Sequence, residues 1–130
     1  HQGDRQARQW RTVEEPLRPM DILAGHPETQ VVLLDCLTLW LSNLLFEADE
    51  PELFSEEMVT ELTAELVAAA RQRPGVVIIV TNEVGMGIVP ENPLARHYRD
   101  LLGRCNQSIA AAADRVDLVT CGISQTIKGR

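Results

Sequence analysis

Lysine is almost absent from this chain of 130 residues. Lys128 stands alone against eleven arginines, and the acids outnumber the bases to leave a net charge of −7. Nucleic-acid surfaces need clustered cations to neutralise phosphates, so that class of partner is excluded. The arginine bias suits planar, bidentate contacts to phosphate, and it suits a GC-rich genome equally well. Cysteine is scarce too: Cys36, Cys105 and Cys121 lie far apart, odd in number and without a CxxC pair. With no secretory signal in sight they read as reduced thiols, which points to the cytoplasm. His1, His26 and His97 share no ligand spacing with them, which argues against a zinc site. No apolar run approaches the roughly 20 residues needed to cross a bilayer, so no membrane span is expected. Repeats and low-complexity segments are missing. What remains is 45% hydrophobic and 24% charged, the composition of one globular domain spanning 1–130.

The hydrophobic pattern alternates between strand-like and helix-like segments. Residues 1–15 are polar and arginine-rich, and read as a loop or arm. Pro16 to Ala24 is expected to form a short helix, broken by Gly25-His26-Pro27-Glu28. Val31-Val32-Leu33-Leu34-Asp35 and Val76–Val80 are unalternating aliphatic runs, the signature of strands covered on both faces in a parallel sheet. Leu37–Phe46 places Leu37, Trp40, Leu41, Leu44 and Leu45 on one helical stripe. An acidic loop over 47–54 follows, and Ser55 then caps a helix with Glu56 and Glu57 in its first turn. Its expected core stripe is Met58, Leu62, Leu66 and Ala69-Ala70, with Arg71 and Arg73 in the last turn and Pro74-Gly75 as the stop. Asn92-Pro93 opens a long helix, Val116–Thr120 reads as a third strand, and a polar tail ends the chain. The class is α/β, built from βαβ units around a parallel sheet.

In open parallel sheets, ligands bind beyond the carboxyl ends of the strands. That rule selects Asp35-Cys36, Thr81-Asn82-Glu83 and Cys121-Gly122. Asp35, after four aliphatics, matches the acid that helps hold Mg²⁺ beside nucleotide phosphates, although it would serve as well as a helix cap or a solvated strand end. Glu83 precedes a loop with two glycines, where it either positions a substrate hydroxyl or faces solvent. His1-Gln2-Gly3-Asp4-Arg5 joins an imidazole able to attack phosphorus to an arginine able to neutralise phosphate. A histidine in such a place is also commonly a plain surface residue.

Several segments together resemble one family. They are His1-x-x-x-Arg5 with Trp10–Glu14, Val31–Thr38 with Asn43–Phe46, and above all the block Val80–Asn92, continued by Leu94-Ala95-Arg96 and Asn106-Gln107. The chain resembles the bifunctional adenosylcobinamide kinase / adenosylcobinamide-phosphate guanylyltransferases of cobalamin biosynthesis, nearly end to end. The resemblance implies a P-loop NTPase fold of the RecA-like group, and an enzyme using GTP, or ATP as phosphate donor, with Mg²⁺. Such an enzyme phosphorylates adenosylcobinamide and then passes GMP from a histidine to the phosphate, giving adenosylcobinamide-GDP. It implies that His1 is that histidine, that Gln2, Gly3, Asp4, Arg5, Glu14 and Asp35 contact the nucleotide, and that Asp35 serves the metal. It also implies a cytoplasmic homo-oligomer, some members being trimers. Ordinary burial of apolar side chains makes the apolar helix Leu37–Phe46 core rather than a corrinoid surface.

One departure stands out. No G-x-x-x-x-G-K-[ST] occurs here, so the phosphate loop and the first strand of the implied fold are expected before His1, in an N-terminally incomplete domain. Two other readings share the sheet and Asp35. One is a RecA-like kinase or ATPase without a covalent intermediate; the other is a non-catalytic module that binds nucleotide or corrinoid.

Overall fold

The structure, a computed structural model, describes residues 10–129. It is a mixed α/β chain. Helix α1 (Pro19–Gly25) leads to strand β1 (Val31–Asp35), α2 (Leu37–Glu47), a 3₁₀ turn at Pro51–Leu53, α3 (Glu56–Gln72) and β2 (Val76–Val80). A second 3₁₀ turn (Val84–Met86), α4 (Pro93–Ala112), β3 (Val116–Thr120) and β4 (Ile123–Lys128) complete it.

The caps act where the residue types predict. Ser55 accepts from the Met58 amide at 3.3 Å, and Asn92 from the Ala95 amide at 3.0 Å with Pro93 in the first turn. Helix α1 starts three residues later than its proline suggested. Glu15 accepts from the Leu17 and Arg18 amides at 2.9 Å each, folding a turn that delays the helix to Pro19. These backbone donors, Arg18 first, hold the Glu15 carboxyl below the usual carboxylate range.

Strands β1 and β2 pair in parallel, Val31 opposite Val76 through Asp35 opposite Val80. Gly75 permits this start. Its φ is +92°, and a Cβ there would lie 2.1 Å from the carbonyl oxygen of Gln30, the atom that accepts from the Val76 amide at 2.8 Å. Beneath the pair sits one core: Leu37, Trp40, Leu41 and Leu45 of α2, Val59 and Leu66 of α3, and Leu101, Leu102 and Cys105 of α4 are buried together.

Three expectations are corrected. The strands were expected to be covered on both faces, but Val32, Leu34, Val77 and Ile79 pack on the helices while Val31, Leu33, Val76, Ile78 and Val80 stay exposed among the described residues. The described helices pack against one face, so the other keeps its aliphatics open. Strand β3 was expected in the parallel sheet; among the described residues it pairs antiparallel with β4, the stretch expected to be a polar tail. Cys121 (φ 55°) and Gly122 (φ 76°) reverse the chain tightly between them. Asp117 locks that hairpin, taking Arg115 Nε at 2.7 Å and the Thr126 hydroxyl at 2.7 Å across the strands. The Arg115 guanidinium keeps the Asp117 carboxyl below its ordinary value. Third, in α3 the expected Leu66 is buried and Leu62, Ala69 and Ala70 pack on the core, but Met58 is 44% exposed and Val59 and Thr63 are buried in its stead. This rotation of the stripe follows from the helix partners: Thr63 donates its hydroxyl to the buried Cys105 sulfur of α4 at 3.6 Å.

Candidate functional site

The carboxyl ends of β1 and β2 lie side by side, which brings Asp35 level with Val80 and sets Thr81-Asn82-Glu83 just beyond it. The chain does not rise from there as loose loops. Asn82 donates through Nδ2 to the Thr38 hydroxyl at 2.9 Å, tying the end of β2 to the first turn of α2. Asn106 of α4 braces the same segment twice: Nδ2 donates to the Asn82 carbonyl at 3.0 Å, and Oδ1 accepts from the Thr81 hydroxyl at 2.7 Å. Tyr98, also on α4, donates to the Thr38 carbonyl at 2.9 Å. Burial pushes the Tyr98 phenol up, so it stays a donor at neutral pH. Glu83 accepts from the Gly85 amide at 3.0 Å, and Arg99 donates to the Gly85 carbonyl at 2.8 Å. Three elements therefore grip one strand-end platform on which Asp35 and Glu83 are exposed.

This platform is firm because its hydroxyl and amide groups are paired with one another. Asn106→Ala would strip two of those pairs from partly exposed groups. We expect a loss of about 1 kcal/mol in stability, with faster amide hydrogen exchange confined to residues 81–85. Uniform exchange across the chain would refute that local role.

Glu14 lies exposed in the irregular segment before α1. His1, Gln2, Gly3, Asp4 and Arg5 lie outside the described residues. Among the described residues no group of three or more His, Cys, Asp or Glu side chains converges to hold a metal. A single strand-end carboxylate still fits Mg²⁺, which keeps several waters and takes the rest of its ligands from substrate phosphates rather than from an all-protein cage. No described helix is long and apolar enough to cross a membrane.

Residue type alone did not reveal Tyr98, Arg99 or Asn106 as parts of the platform. Tyr98 reads as one member of the apolar face of α4, and nothing local marks its hydroxyl as a tie to α2.

The profile of the family described as cobinamide kinase / cobinamide phosphate guanyltransferase matches residues 1–127. The chain belongs to this family. Its relatives include the bifunctional adenosylcobalamin biosynthesis protein CobU of Salmonella typhimurium, 44% identical over 137 residues that cover 98% of this chain and 75% of that protein. The protein of the same name from Escherichia coli is 46% identical over 127 residues, covering 92% of this chain and 70% of the relative. The bifunctional adenosylcobalamin biosynthesis protein CobP of Pseudomonas aeruginosa is 41% identical over 122 residues, covering 92% and 66%. As a cobinamide kinase / cobinamide phosphate guanyltransferase, the chain is a transferase of cobalamin biosynthesis. The strand-end platform falls wholly within the matched residues.

Proposed function

We propose that the chain performs both transfers with one nucleotide site at the strand ends and a guanylyl-histidine intermediate on His1. The observation that carries this reading is the family match over 1–127, which spans His1, Arg5, Glu14 and Asp35 together. The fold would be of the P-loop NTPase class, in a single cytoplasmic domain that assembles as a homo-oligomer.

In the first reaction the hydroxyl of adenosylcobinamide takes the terminal phosphoryl group of GTP or ATP. The protein's work there is positioning and charge neutralisation. Asp35 would hold Mg²⁺, which supplies neutralisation of the polyphosphate. In the second, a ring nitrogen of His1 attacks the α-phosphorus of GTP. A P–N bond forms, the bond to pyrophosphate breaks, and pyrophosphate leaves. An oxygen of cobinamide phosphate then attacks the same phosphorus; the P–N bond breaks, and adenosylcobinamide-GDP and free histidine result. Arg5 would stabilise the phosphates, with Gln2, Gly3 and Asp4 beside them, and Glu14 would contact the guanosine.

The test uses the full-length protein with Mg²⁺ and GTP labelled at the α-phosphate. A covalent label that survives denaturation and base, disappears in acid, and maps to the peptide containing His1 is the expected result. A protein that hydrolyses GTP without ever taking the label would be a RecA-like kinase or ATPase instead.

A further inference from the structure

An open groove of about 650 Å³ runs between the end of α2, the 3₁₀ turn at Pro51 and the start of α4. Leu45, Phe46, Pro51, Leu94, Ala95 and Tyr98 line it. Its walls are unusually apolar for surface. Phe46 is 86% exposed and Leu94 47%, while Leu37, Trp40, Leu41 and Leu45 of α2 and Leu101 and Leu102 of α4 are buried in the core. The opposite groove, against Gln30, Val31 and Gly75, opens at the amino ends of the strands, away from the chemistry.

Two further features say what the groove takes. The first is charge. The segment that forms its Pro51 wall carries Glu47, Asp49, Glu50 and Glu52, with no lysine or arginine between Phe46 and Leu53. None of the four forms an ion pair among the described residues. On α4, Arg96 is held by the Pro90 and Glu91 carbonyls and Arg99 by the Gly85 carbonyl; both keep their positive charge, so the negative rim is the Pro51 side alone. The groove is therefore apolar inside and negative at one rim. The second feature is continuity. Tyr98 lines the groove while its hydroxyl holds the Thr38 carbonyl, and Thr38 is the residue that Asn82 grips. Tyr98 is thus shared between the groove and the strand-end platform.

We propose that this groove docks the corrin macrocycle and so presents the rest of the substrate to the strand ends. This rests on the function proposed above. The corrin ring is a monoanion, so cobalt(III) with one anionic upper ligand leaves a net positive charge. The periphery mixes methyl groups with uncharged carboxamides. Apolar walls meet the ring, and the acidic rim attracts the cation.

The experiment titrates adenosylcobinamide into the full-length protein and into Phe46→Ser and Leu94→Ser variants, with circular-dichroism melts to verify folding. Both side chains are substantially exposed, so the fold should survive. Loss of either apolar wall should raise Kd roughly tenfold. The Glu50→Gln/Glu52→Gln variant should raise it about threefold, and should change the affinity for neutral dicyanocobinamide less. Unchanged Kd values in all three variants would overturn the groove while leaving the enzyme's function intact. A parent protein that binds no cobinamide would overturn the function itself. A Phe46→Ser protein that sediments as a smaller species yet binds cobinamide normally would make the groove a contact between copies of the chain, and the proposal wrong.

Discussion

Replacing His1 by Asn should abolish the covalent label from GTP and cut GMP transfer by roughly 10³-fold or more, the scale on which enzymes lose rate when a nucleophile is removed. Asparagine keeps the approximate size and a hydrogen-bonding nitrogen, but its amide nitrogen has no basic lone pair to attack phosphorus. Phosphorylation of cobinamide asks nothing of the imidazole, because the substrate hydroxyl is its own nucleophile, and should persist. The two activities thus separate in one variant, read by label and by product. If GMP transfer also persists, the nucleophile lies elsewhere. A His1→Gly variant offers the converse check: free imidazole added to the assay should restore part of the transfer by taking the vacated position. Rescue would assign the chemistry to an imidazole rather than to any nearby group.

Arg73→Met should destabilise the protein by about 3 kcal/mol or more, lowering the melting temperature by roughly 10 °C for a domain of this size. Arg73 is 7% exposed. Its guanidinium donates to the Leu23 carbonyl at 3.1 Å, to the His26 carbonyl at 3.0 Å and to the Thr29 carbonyl. One cation thus gathers the end of α1 and the turn that leads into β1. Methionine fills the volume but leaves those carbonyls without their charged donor, in a region where water reaches them poorly. Lysine tests the mechanism better than alanine would. Its single ammonium cannot reach three divergent carbonyls as a planar fork can, so Arg73→Lys should recover less than half of the loss. A thermal melt of both variants decides it. Equal stability for the lysine variant and the parent would show that charge alone, not the fork, matters.

These two residues illustrate different kinds of legibility. His1 was a candidate because an imidazole and an arginine four residues apart suit nucleotidyl transfer, but only the family resemblance implied its role as nucleophile. Arg73 was visible only as a basic residue near a helix end, a position that favours cations through the helix dipole. In the folded chain it acts otherwise. Helix α3 ends at Gln72, and Arg73 turns inward to serve carbonyls 44 to 50 residues away along the chain. Spacing rules describe neighbours along one element, and such a partner lies beyond their range.

The same division runs through the whole molecule. Local chemistry along the chain determined that helices start at Ser55 and Asn92, that Val31–Asp35 and Val76–Val80 are strands, and that the strand ends carry Asp35, Thr81, Asn82 and Glu83. Caps, aliphatic runs and turn residues act within a few positions, so they can be read without a fold. Tertiary structure alone decided that β3 turns back on β4, that Met58 faces outward while Thr63 meets Cys105, and that Tyr98 and Asn106 brace the platform from α4. It also decided that Phe46, the last residue of the expected helix and off its core stripe, lines an open groove. Those outcomes depend on which surfaces meet once elements pack. Burial and hydrogen-bond pairing between distant segments are properties of the assembled chain, not of any stretch of it.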